Sequence, residues 1–402
     1  MISKIRTLQQ FYELMFDTKC IREKIVGQLL NKEGIDEELV DLLSRALNGL
    51  KDIPCRKNKY HLSYQKNRTV TMNLSYEIEE LEKDIFFLTH TQEKFYHYLE
   101  KLHPELQEQV REGHKVFCKI KFKNFITDRD GTVNNYCGRY KSSIQSVYNA
   151  VFLTRFATGC TENAMLLTSA PLDNVGLIDI SVSPQDVFIL AGSKGREYID
   201  KNGVKGQFPI EKSKQEKLNI INQRLSDLVK KQEYEIYSLI GSGLQFKFGQ
   251  TTIARQDIYN SIPKRESEDF LNLVTAIVSE VDPHNGFFRI EDTGKDIEII
   301  LMIEKDGKTN RLKDFDKGDA IIFLNEELNL DIEEGPNLIC GDTRSDIHMV
   351  SAAMNKSDNT WVIFVTEDED LKHAVNNMCP HSYFVSEPDT LITLLNNLSG
   401  RD

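Results

Sequence analysis

The sequence predicts an α/β protein: a Rossmann-like core interrupted by an inserted α/β cap and preceded by a helical bundle. Three observations lead there. Apolar residues recur three and four apart through residues 1–112; farther on, two apolar strands each run into a turn of glycine and acid; between them, from Pro209 to about Lys313, the pattern alternates as αββαββ.

The elements follow in chain order. Ile5, Leu8, Phe11 or Tyr12, Met15, Ile21, Ile25 and Leu29 predict one long or two short amphipathic helices. Asp36 caps a second helix through Leu39, Leu42, Leu43, Ala46 and Leu50, and a third runs from Leu74 to Leu102, stopping before Pro104. Together they predict a three-helix bundle over residues 1–112, without a catalytic signature, whose basic segment Ile53–Lys59 reads as a solvated loop. From Val116, Cys118, Ile120 and Phe122 alternate with lysines, predicting a strand that enters a core formed by residues 113–208 and 312–402. The cap, residues 209–311, is expected to hold helices over Lys214–Lys231 and Glu266–Glu280. Its strands are expected near Ile236–Ile240, Leu244–Phe248, Phe287–Glu291 and Ile297–Ile303. The core resumes at Lys317 and ends with strands Trp361–Val365 and Tyr383–Val385, each followed by a helix.

The chemistry is concentrated where strands end. Phe125-Ile126-Thr127-Asp128-Arg129-Asp130-Gly131-Thr132 sets two carboxylates beside a glycine turn. Asp128 can attack phosphorus, since a carboxylate is an adequate nucleophile once a divalent cation neutralises the phosphate. Asp130, reached as the chain leaves the strand, can act as general acid and base while its carbonyl binds metal. Leu338-Ile339-Cys340-Gly341-Asp342-Thr343-Arg344-Ser345-Asp346 repeats the pattern of strand, glycine and acid; Mg²⁺ wants about six oxygens, and Asp128, the Asp130 carbonyl and Asp342 would supply the protein's share, with Asp346 beside them. Met165-Leu166-Leu167-Thr168-Ser169 ends a strand in hydroxyls, with Thr168 ahead of Ser169 as a phosphate donor. Lys317 opens an apolar helix, where its ammonium and the helix N-terminus can both face an anion.

That order of motifs resembles the haloacid-dehalogenase phosphatase superfamily, and the surrounding residues resemble the trehalose-6-phosphate phosphatases of the nematode type. The likeness covers about residues 116–400 and is carried by Thr127–Thr132, Asn135-Tyr136-Cys137, Leu153–Ala157, Leu167–Leu172, Gly192–Glu197, Gly241–Lys247 and Ile339–Asp346. It implies a Rossmann-like haloacid-dehalogenase core that hydrolyses trehalose-6-phosphate, with Mg²⁺, through an aspartyl-phosphate. It also implies that cap residues read the sugar: Gln245 and Lys247 lie on the matching Gln-x-Lys strand, and Glu298 is placed by strand position. Many microbial members carry Glu where this chain has Gln245. The N-terminal bundle resembles microtubule-interacting and transport domains, implying a protein partner or self-association through these helices. Its independent periodicity predicts that a chain begun near Glu112 keeps phosphatase activity. Two alternatives stay open: a phosphatase of another osmolyte precursor, such as sucrose phosphate or glucosylglycerol phosphate, and a non-catalytic interaction protein. Intact Asp128, Asp130, Lys317 and Asp342 argue against the second.

Composition narrows the partners. The chain has 402 residues and a formal charge of −12; residues 1–115 carry 18 basic and 19 acidic side chains, so −11 falls on the remainder. An acidic body repels nucleic acid, and the anionic substrate must be met by local cations, the metal with Lys317 and Lys247 or Arg196. No apolar run approaches the length that spans a bilayer, and the first residues lack a signal-peptide pattern. Seven cysteines without a Cys-x-x-Cys pair fit reduced thiols and a cytoplasmic protein, with Cys137 and Cys340 as small packing residues.

Overall fold

The computed structural model describes residues 4–57, 59–65, 68–305 and 308–400. At its centre an eight-stranded sheet runs in the order Ser382–Val385, Thr360–Val365, Asn337–Gly341, Phe122–Thr127, Thr161–Leu167, Ile189–Gly192, Glu197–Ile199, Lys205–Gln207. The first six strands are parallel, and the last two are added by successive antiparallel pairings, so only Glu197–Ile199 runs the other way. Near-continuous burial along strands such as Phe122–Thr127 and Asn337–Gly341 is what a sheet covered on both faces produces. One face packs on the helices Val147–Cys160 and Pro388–Leu398; the other, through Ile126, Ile339 and Val362, packs on Lys317–Leu328 and Ile347–Met354. Phe122–Thr127 lies between a strand that follows it and one that comes much later in the chain. The crevice beyond its carboxyl end is therefore the switch point where open α/β sheets bind ligands.

The cap is a four-stranded antiparallel sheet, Phe288–Asp292, Asp296–Leu301, Gln250–Ala254, Leu244–Lys247, with the helices Lys212–Val229 and Lys264–Val281. Its αββαββ order is the expected one, but the first hairpin is displaced: Glu235–Ser238 is a short 3₁₀ turn, and the second strand is Gln250–Ala254. The turn between the strands uses Gly249 at φ 73°, where Arg196 from the core reaches across. Arg196 is buried and donates to the Gly249 and Leu301 carbonyls, so it pins cap to core and does not meet an anion as the sequence suggested.

The N-terminal unit departs most from expectation. It has five helices, Leu8–Leu30, Glu37–Lys51, Ser75–Thr89, Gln92–Leu102 and Leu106–Phe117, where three were predicted. The long third helix breaks because Thr91 adopts an extended backbone and its hydroxyl caps a new helix at Lys94 N. The fifth helix runs through residue 112, so the predicted boundary cuts it, and the core strand starts only at Phe122. The segment read as a solvated basic loop opens a three-stranded meander, Cys55–Arg56, Lys59–Gln65 and Arg68–Met72, which buries Leu62, Val70 and Met72.

This unit does not stand apart. Its apolar residues, Phe11, Leu43 and Phe95 among them, form one continuous core with Tyr148, Phe152 and Leu391 of the α/β body. Buried charges cross the junction: Lys83 pairs with Glu80 and, at 3.0 Å, with Asp389, which also accepts from Tyr148 and His103. Arg22 pairs with Asp84 at 2.6 Å, while Asp84 also accepts from Val147 N. Among the described residues no helix is long and apolar enough to cross a membrane.

Candidate active site

Three strand ends converge in the crevice. The Phe122–Thr127 ladder carries on through Asp128 N, which donates to the Cys340 carbonyl, and delivers Asp128 as a buried residue, 7% exposed. Gly131 then turns the chain at φ 87°; a Cβ there would lie 2.2 Å from an Asp342 oxygen, so the turn needs glycine for both its angle and its space. Thr132 donates to Asp342 at 2.9 Å and more loosely to Asp128, tying the two acidic turns together.

Lys317 is the first residue of its helix, placed by the Asp316 capping box, and its buried ammonium donates to Asp128 at 2.5 Å and Asp346 at 2.6 Å. Asp346 is fully buried and also accepts from the Asp342 and Thr343 backbone N–H groups and the Thr343 hydroxyl. Oxygens of Asp128, Asp342 and Asp346 all lie within 4.8 Å of one another.

Three carboxylates around one ammonium leave an excess of negative charge, and the protonation equilibria register it. Burial pushes Asp128 up to about 6 against the pull of Lys317. Burial and the neighbouring Asp128 and Asp346 push Asp342 up to about 8. Burial acts the same way on Asp346, but Lys317 and the Thr343 donors outweigh it and hold that acid below its ordinary value. The donor set is hard oxygen with a charge deficit, which suits a divalent cation such as Mg²⁺. Asp128, Asp342 and the Asp130 carbonyl are the groups that could hold one, with Asp346 beside them.

This has a measurable consequence. A carboxylic acid that ionises near pH 4 unfolded and near 8 folded binds more protons in the native state between those values, so its contribution to stability falls as pH rises through them. A cation that binds the ionised form offsets that loss. The melting-temperature difference between Mg²⁺ and chelator is therefore expected to widen from about pH 5.5 to about pH 8.5. A difference that stays constant would contradict the cluster as the cation's site.

The remaining expected residues are distributed unevenly. Thr168 is buried, held by Thr168 N to the Ala191 carbonyl, and lines a cavity of about 310 Å³ together with Asp128, Asp130, Ser169 and Lys317. Gln245 and Lys247 enter the same cavity from one face of the cap strand Leu244–Lys247. Lys247 is buried, which lowers its pKa, and among the described residues its ammonium has no ion-pair or hydrogen-bond partner. Glu298 does not line that cavity itself, but its charge acts on Lys247, which does. It shares the sheet face, in register with Thr252, and its carboxylate accepts from Gln250 at 3.0 Å.

Arg129 was missed. Sitting between the two motif acids, it is buried and donates to the Asp130 carboxylate and to the Ser143 hydroxyl and carbonyl. A basic residue inside Asp-x-Asp was the available signal. Cys340 is buried in its strand, as expected, while Cys137 is half-buried and donates weakly to Glu77 and the Arg139 carbonyl.

A buried strand-end carboxylate beside an Asp-x-Asp turn, a helix-borne lysine and a second acidic strand end give an α/β core under a cap the groups that phosphoryl transfer requires. Comparison with known proteins agrees. Residues 125–391 match the family described as trehalose-6-phosphate phosphatase, C-terminal, and residues 7–106 match its N-terminal helical bundle domain; the chain belongs to this family. It is 30% identical over 415 residues to alpha,alpha-trehalose-phosphate synthase [UDP-forming] 2 of Caenorhabditis elegans, covering 97% of this chain and 33% of that protein. It is 28% identical over 427 residues to trehalose-phosphatase of Brugia malayi, covering 96% and 85%. The chain thus spans about a third of the length of the synthase relatives. The C-terminal domain of Candida albicans trehalose-6-phosphate phosphatase superimposes with a TM-score of 0.45 at 15% identity, over 74% of this chain and 97% of that one.

Proposed function

We propose that the protein is a Mg²⁺-dependent phosphatase that hydrolyses trehalose-6-phosphate to trehalose and phosphate through an aspartyl-phosphate on Asp128. The observation that carries this reading is the cavity that joins Asp128 and Lys317 of the core to the unpaired Lys247 and Gln245 of the cap. Phosphate chemistry and sugar recognition meet there.

A bound divalent cation would neutralise phosphate charge, held by Asp128, Asp342 and the Asp130 carbonyl. Lys317 and the Thr168 hydroxyl then bind the phosphate oxygens and orient phosphorus in line with an Asp128 oxygen. As the Asp128 oxygen–phosphorus bond forms, the bond from phosphorus to the sugar oxygen breaks and Asp130 gives its proton to that oxygen. Asp130 next takes a proton from the water that attacks phosphorus, and Asp128 is released. Arg129 and Ser143 hold the Asp130 side chain between these transfers. The cap excludes bulk water. The reading keeps the enzyme in the cytoplasm, as expected from the sequence.

Phosphate release from trehalose-6-phosphate, sucrose-6-phosphate, glucosylglycerol phosphate and glucose-6-phosphate, measured side by side, tests the substrate. Preference for trehalose-6-phosphate is expected; a higher kcat/KM for another sugar phosphate would replace it. Within that panel, Lys247→Ala is expected to lower kcat/KM for trehalose-6-phosphate by roughly a hundredfold while leaving p-nitrophenyl phosphate nearly unchanged, because the small ester does not reach the cap. Equal losses on both would assign Lys247 to the fold instead.

A further inference from the structure

The motif Asn135-Tyr136-Cys137 follows the catalytic turn, and the chemistry above does not use it. Its geometry is unusual. Asn135 donates to Glu80 at 3.0 Å and Asp389 at 2.8 Å, both buried carboxylates of the junction with the N-terminal unit. Cys137 is held through its sulfur by Glu77 and the Arg139 carbonyl. Between these anchored neighbours Tyr136 stands 74% exposed, and among the described residues its hydroxyl has no hydrogen-bond partner. A loop fixed on both sides thus holds a large ring in place while leaving it open to solvent.

The ring is not on a bare surface. Tyr136, Cys137 and Gly138 line the active-site cavity on one side and a second cavity of about 560 Å³ on the other, where Asp257 and Tyr259 of the cap also stand. With the phosphate at Asp128, a phosphorylated sugar ring occupies the first space, and Tyr136, which lines both spaces, is in place to meet a second ring that extends into the next. An aldopyranose has an apolar face of C–H groups and a rim of hydroxyls. The first suits an aromatic face, the second suits carboxylates and amides such as Asp257 and Gln245.

We propose that Tyr136 is a specificity-determining residue, whose ring is the platform for the unphosphorylated sugar ring of a disaccharide phosphate. This deepens the function proposed above and rests on it. Glu77 and Glu80 of the N-terminal unit become, through Asn135 and Cys137, the supports of that platform.

Tyr136→Ala, Tyr136→Phe and Tyr136→Trp test it, each assayed with trehalose-6-phosphate, glucose-6-phosphate and p-nitrophenyl phosphate. A side chain this exposed can be replaced without unfolding the protein. The Ala variant is expected to raise KM for trehalose-6-phosphate about ten- to a hundredfold while changing kcat/KM for the two smaller esters by less than about threefold; Phe and Trp should keep parental discrimination. A role in shaping the loop would depress all three substrates together. Equal losses on all three, or none on trehalose-6-phosphate, would overturn the proposal while leaving the phosphatase reading intact. If the parent enzyme itself releases no phosphate from trehalose-6-phosphate, the proposed function fails and this inference fails with it, an outcome visible before any variant is made.

Discussion

A chain begun at Glu112 is expected to yield no folded enzyme, contrary to what the periodicity of the first helices suggested. Such a cut removes Phe95 and Leu99, both fully buried, from against Phe152 and Tyr148, and it halves the helix Leu106–Phe117. It also strands Asp389, which burial would hold protonated but Lys83, His103 and Tyr148 keep far below its ordinary value. Leaving one partner of a buried pair behind costs about 3–5 kcal/mol, and each large apolar side chain newly exposed costs about 1.5–3 kcal/mol more. Set against a typical stability of about 5–15 kcal/mol, the losses exceed what the core holds. Circular dichroism and melting of the truncated chain would show this. A soluble truncated protein with a sharp melt and phosphatase activity would prove the N-terminal unit an accessory. A milder form of the experiment is Lys83→Ala, expected to destabilise the full chain by about 3–5 kcal/mol with the active-site residues untouched.

Asp128→Asn is expected to abolish turnover, by roughly 10⁴-fold or more, because an amide oxygen cannot form the acyl phosphate. The fold should survive, since asparagine keeps the shape and Lys317 retains Asp346 at 2.6 Å. Removing that charge also relieves Asp342, whose raised value owes part of its height to Asp128. In chelator the variant should melt no lower than the parent. Activity above about one per cent of the parent would remove Asp128 from the nucleophile's role, and a collapse in melting temperature would make the lost activity uninformative about chemistry.

How far the sequence could be read depended on the range of the interaction. Asp128, Gly131 and Asp342 were legible because a strand, a glycine turn and an acid are local chemistry, and the parallel register then brings the two strand ends together. Lys317 was legible from its place at a helix start. Arg196 was misread because what a side chain meets is settled far away: it finds Leu301, 105 residues on. The same holds for Lys83 and Asp389, 306 residues apart, whose pairing joins the N-terminal helices to the α/β core. The meander Cys55–Met72 was obscured by exposed lysine and arginine on short strands, with Leu62, Val70 and Met72 the few apolar anchors. The Thr91 cap was visible as Thr-Gln-Glu but lost inside an otherwise helical apolar period.

Phosphate release from trehalose-6-phosphate by the full chain, with Mg²⁺ and with chelator, and by Asp128→Asn under the same conditions, tests the assignment most directly. Turnover by the parent only with Mg²⁺, and none by the variant, is the expected result. Turnover that persists in chelator, or in Asp128→Asn, would mean that the carboxylate cluster at the ends of Phe122–Thr127 and Asn337–Gly341 is not where the phosphate ester is cleaved.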